Sequence, residues 1–140
     1  MMTTTQDTTA TLDLQAAIVA RLRADSDLST ALGGPRIHDG APRGTAFPYV
    51  TLGASGQSDW SDGSTEGGDV SLTLHVWSRQ GGKKEAWAIA GTLMRLLHDE
   101  PLALAAHHLV TLRVAFAEVR RDPDGITEHG VVRLEALVEG

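Results

Sequence analysis

Cysteine is absent from the 140 residues, which removes disulfides, thiolate metal sites and a cysteine nucleophile together and is compatible with a reducing cytoplasm. Aromatic residues are scarce at 4%, so a core has to be built from Leu, Val, Ile and Ala. No apolar run approaches the ~20 residues that a helix needs to cross a bilayer, and no membrane partner is expected. Positive charge is also short, with 12 Lys and Arg against 18 Asp and Glu and a net charge of −6. That balance argues against holding nucleic acid by neutralising phosphates, which takes a clustered excess of cations. The opening "MMTTTQDTTAT" has neither a basic region nor an apolar one, so it reads as a polar, disordered arm over residues 1–11 and not as a signal or transit segment.

What is present is the material of one ordinary domain, expected over residues 12–140, with 41% hydrophobic residues. Leu14, Ala17, Ile18 and Leu22 recur at helical spacing between Leu12 and Ala24, and Gly33-Gly34-Pro35 ends a short turn that carries Leu28 and Leu32. Pro48 leads into "YVTLGA", a candidate strand. Ser55 to Asp69 is rich in Gly, Ser and Asp and reads as a long loop or flexible hairpin tip, its one large apolar residue being Trp60. Val70, Leu72, Leu74 and Val76 then alternate with Ser71, Thr73, His75 and Trp77, the pattern of a half-buried strand. Ala86, Ile89, Ala90, Leu93, Leu96 and Leu97 return to helical period and stop before Pro101. Two strands follow, with Leu112, Val114 and Phe116 expected inward on one and Val132, Leu134 and Ala136 on the other, joined by the turn "DPDG". The fold class implied is α+β: a mainly antiparallel sheet, two main helices packed on one face, and a long flexible loop or hairpin between the second and third strands.

Catalytic and metal-binding patterns are thin. His107 and His108 are adjacent and diverge on either kind of element, which suits no two-ligand metal site, and they read as surface or strand-end residues. His75 is expected to make a cross-strand contact. The acidic loop with Asp59, Asp62, Glu66 and Asp69 departs from the EF-hand order, and "GGKK" departs from the phosphate-binding GxxxxGK[ST] pattern and is better explained as a helix start. No catalytic residue, metal or cofactor is expected. Trp60 in a polar loop has no neighbours to bury it, which makes it an anchor for another subunit, with Asp59 and Asp62 beside it.

Taken together, "LQAAIVARLRAD", "LSTALGG", "RIHDGAPRG" with "FPYVTLG", the alternating strand ending "LHVWS" and the helix "AWAIAGTLMRLL" resemble the phage tail completion proteins, from about Leu12 to the C-terminus. The most specific part is "RI" followed by "AP" and "PYV". Such proteins look like tail terminators, including those of phage-like gene transfer agents. The resemblance implies a homo-hexameric ring that caps the tail tube, with tube protein on one rim, a head-tail stopper or connector protein on the other, and DNA passing through without sequence-specific binding. It also implies assembly in the bacterial cytoplasm and release within the particle. Another connector ring protein is the alternative within that class, and a small ligand-binding or enzymatic α+β domain is the alternative outside it. The family carries no catalytic residues across; its matching positions Arg36, Pro42, Pro48 and Tyr49, with Arg43 between them, are candidate structural or subunit-interface residues. Six subunits of charge −6 each would give the channel an acidic wall past which DNA slides. The Ser55–Asp69 segment is expected to be mobile in the monomer and fixed in the ring.

Overall fold

The computed structural model describes residues 9–59 and 67–140. Helix α1, Ala10–Arg23, begins where the Thr9 side chain accepts a hydrogen bond from the Leu12 amide at 3.1 Å, and it buries Ala10, Asp13, Leu14, Ile18 and Leu22. It therefore starts inside the segment expected to be an arm. The short helix α2, Ser26–Leu32, is capped by Asp25 on the Leu28 amide and stopped by Gly33, whose φ of 79° is a conformation that side chains with a Cβ resist. Helix α3, Lys84–Leu97, buries Ala86, Ile89, Ala90, Leu93, Leu96 and Leu97 on one side, as its spacing requires.

The described residues form a five-stranded sheet from β1, Ile37–His38; β2, Tyr49–Asp59; β3, Gly67–Ser78; β4, His108–Arg121; and β5, Glu128–Glu139. The strand order is β1-β2-β3-β5-β4, antiparallel throughout except for the short parallel β1–β2 pair. Val70, Leu72, Leu74 and Val76 of β3 and Val132, Leu134, Ala136 and Val138 of β5 face one continuous core with the helices. Burying each Val or Leu among them contributes about 1.5–3 kcal/mol, so this face fixes the register. Among the described residues the opposite face carries no helix: Ser71, Thr73, His75 and Trp77 of β3 lie there half-exposed, in register with Glu135, Arg133, Val131 and His129.

Two expectations are corrected. Ser55–Asp59 and Gly67–Asp69 are strand, not loop, and pair from Ser55 with Leu72 to Asp59 with Gly68. Their small polar composition hid this, because the ladder is supplied by the neighbouring strand and not by side-chain propensity. Gln57 adds a tie by accepting hydrogen bonds from the Thr11 amide and hydroxyl at 3.1 and 2.6 Å. Trp60 to Glu66 fall outside the described residues. Phe116 is the second correction: register shifts at Leu109/Thr111 and Val114/Phe116 each break the alternation, so Leu112 and Val114 turn inward while Phe116 is 43% exposed on the other face. There it lies opposite Arg133, whose guanidinium sits 5.6 Å from its ring.

Candidate subunit interface

Alternation along β3 places His75 and Trp77 on the sheet's uncovered face, and pairing with β5 brings His129 beside them. The Trp77 and His129 rings stack 4.1 Å apart at 8°, and Tyr49 continues the row at 6.4 Å from Trp77. Trp77 Nε1 donates to Thr51 Oγ1 at 3.0 Å. Phe47 packs on Tyr49 at 5.0 Å with the Arg79 guanidinium 4.2 Å over its ring. His75 Nδ1 and His129 Nε2 share a hydrogen bond at 2.6 Å, and the His75 ring lies over Gly53, where an added Cβ would sit 2.1 Å from Nε2. Burial pulls both imidazoles below the usual histidine value; the charge of His129 adds to the effect on His75, and for His129 the pull of Asp122 and Glu118 is too small to reverse it. Both are therefore neutral near pH 7. A half-exposed aromatic band edged by Arg79 and Arg120 has the composition of protein contact surfaces, where aromatic rings and arginines carry most of the binding energy.

The residues singled out in the sequence divide between two places. Arg36, Pro48 and Tyr49 meet at one corner. The Arg36 side chain donates to the Phe47 carbonyl at 3.3 Å and lies 3.2 Å from where a Cβ on Gly33 would be, and the Phe47–Pro48 bond is cis. Arg36 thus locks the α2 exit to the strand entry. Pro42 and Arg43 project from the exposed turn alongside, in which the Pro42 carbonyl accepts from the Thr45 amide at 3.1 Å. Asp59 stands at the far end of β2, about 33 Å from Tyr49 at strand rise. Trp60 and Asp62 lie outside the described residues.

Several contributors escaped sequence reasoning. His129 and Phe47 join the band only through register and the cis-proline corner. Asp13 is buried and accepts from the Ala105 and Ala106 amides at 3.0 and 2.8 Å, with His107 Nδ1 2.7 Å away. His107 therefore closes a clamp between α1 and the chain leading into β4. Burial alone would raise the Asp13 carboxyl, but the His107 hydrogen bond and the two amides hold it below its ordinary value. Glu128, also buried, is held below its ordinary value first by Arg121 at 2.7 Å, against burial, and then by Lys83 at 3.2 Å. This pins the start of α3, "GGKK", to the β4–β5 hairpin. Among the described residues there is no group of three or more side chains suited to hold a metal ion.

Comparison with known proteins bears on what this surface serves. The family described as tail completion protein gp17 matches residues 16–139. The tail completion protein gp17 of Bacillus phage SPP1 is 26% identical over 127 residues, spanning 89% of this chain and 91% of that protein. A chain in the virion of a native gene transfer agent particle superposes with a TM-score of 0.86 at 31% identity, covering 95% of this chain and all of that one. The structure of bacteriophage SPP1 gp17 shares the fold, with a TM-score of 0.66 at 23% identity over 96% of this chain and 95% of that one. Matched from within α1 to the end of β5, the chain belongs to the tail completion protein gp17 family.

Proposed function

We propose that this tail completion protein is a tail terminator: a non-catalytic subunit that closes into a homo-hexameric ring, ends tail-tube polymerisation and joins the tube to the head-completion proteins. The observation that carries the reading is the family match over residues 16–139, supported by the likeness to a chain of a gene transfer agent virion. The architecture suits it. Among the described residues helices cover one face of the sheet, which leaves the other face, with its aromatic band, for contact with neighbours. In this reading the corner of Arg36, Pro42, Arg43, Pro48 and Tyr49 is a rigid contact element, and Asp59, with Trp60 and Asp62 beyond it, belongs to a separate one. The net charge of −6 per subunit favours a channel through which DNA passes without being held. Assembly takes place in the host cytoplasm, and the ring leaves with the particle.

Electron microscopy of particles produced without this chain tests the role. Overlong tails or tails without heads are expected. Normal tail lengths on DNA-leaking heads would replace the terminator by a stopper-type connector.

A further inference from the structure

Of the exposed apolar features outside the aromatic band, two lie on opposite edges of the sheet. On the β1 side, α1 and the first strands form an open groove of about 540 Å³ lined by Leu12, Ala16, Val19, Ala20, Ile37 and Leu52 together with the polar Gln15, Arg23 and Asp39. Leu12 is 56% exposed there. On the β4 side, the register shift between Leu109 and Thr111 takes Val110 out of the alternation, and it stands 44% exposed beside Asp99 and Glu100. The order β1-β2-β3-β5-β4 sets groove and knob a full sheet width apart.

Main-chain pairing is obstructed where the groove and the knob lie. β1 covers β2 at Val50 and Thr51, while the Asp99 amide donates to the Leu112 carbonyl at 2.9 Å and the Val114 amide donates to His98 Nδ1 at 3.0 Å. At these two places strand addition is blocked, so a contact between them is made through side chains. A two-fold contact would set groove against groove and leave both unfilled. A head-to-tail contact fills the groove of each subunit with the knob of the next and repeats in one direction, as a ring requires. For charge, the Asp99 side chain is 74% exposed beside the knob, and the groove offers Arg23 as its cation, with Asp39 also in its lining.

We infer that the α1–β1 groove of each subunit receives the β4 edge of a second copy of this chain, with Val110 as the apolar knob and Asp99 facing Arg23. The inference rests on the ring reading and adds which surfaces make the ring.

Because the chain has no cysteine, a Leu12→Cys/Val110→Cys double variant gives a clean test. Oxidised under assembly conditions, alone and with tube protein, it is expected to produce a ladder of covalent multimers, with neither single variant passing a dimer. Leu12→Glu, at a position exposed enough to leave folding intact by circular dichroism, is expected to reduce the ring population at least about ten-fold, while Trp87→Ser, exposed on α3, leaves it unchanged. Rings seen by native mass spectrometry without a ladder and unaffected by Leu12→Glu would overturn the knob-and-groove contact and leave the ring standing. Monomers under every condition would overturn both.

Discussion

A single methyl group added at residue 53 would land 2.1 Å from His75 Nε2, inside any real contact distance, and the ring it strikes is held by His129 and stacked toward Trp77. Gly53→Ala is therefore expected to separate the His75–His129 pair, seen in an NMR titration as the His75 imidazole moving back toward the ordinary value of 6.5; unchanged titration would show that the ring gives way freely. The same pair makes stability pH-dependent. Both groups sit below 6.5 when folded, so the unfolded chain takes up protons first; their contribution is complete above 6.5 and is lost as pH falls from there toward the lowered values. The urea midpoint should drop across that window, and the drop should shrink in a His75→Gln/His129→Gln variant. Asp13 works in a more acid range: its carboxyl lies below 3.8 when folded, so its contribution is present above 3.8 and disappears as pH falls through the lowered value. Asp13→Ala leaves the Ala105 and Ala106 amides and His107 without their acceptor and should cost about 3 kcal/mol in urea unfolding.

At the scale of elements, legibility followed periodicity. α1, α3 and the inward residues of β3 and β5 are written in spacing that only one element type satisfies, and the structure has them as read. β4 is different: its two register shifts leave no mark in the sequence, so Phe116 reads as core when it is surface. Leu112→Ala should cost about 3 kcal/mol, whereas Phe116→Ala, at a half-exposed site, should cost about 1 kcal/mol or less. Ser55–Asp59 failed for the opposite reason, since Gly, Ser and Asp signal loops while the strand is imposed by its partner. Hydrogen exchange on the isolated chain should therefore protect the ladder amides between Ser55 and Asp59; exchange at the rate of an open loop would contradict the pairing with β3. The candidate site was legible only in its pieces. Arg36, Pro48 and Tyr49 were visible as turn chemistry, but the band they border needed the β3–β5 register and the corner at Phe47 to bring His129, Trp77 and Phe47 together.

Across the described residues, one face of the sheet is closed by helices and the other is open, and the two edges are blunted at the groove and at the knob. Such a subunit has most of its contact capacity in its open face and in the features at its two sides. The tail completion protein family supplies the setting, and the ring we propose is an arrangement that gives each of these surfaces something to meet. The most direct test is to polymerise the matching tube protein in vitro with and without the purified chain and to measure tube lengths by electron microscopy. The account predicts that added chain arrests growth, giving short tubes with a six-fold ring at one end. Tubes of unchanged length with bare ends would contradict it.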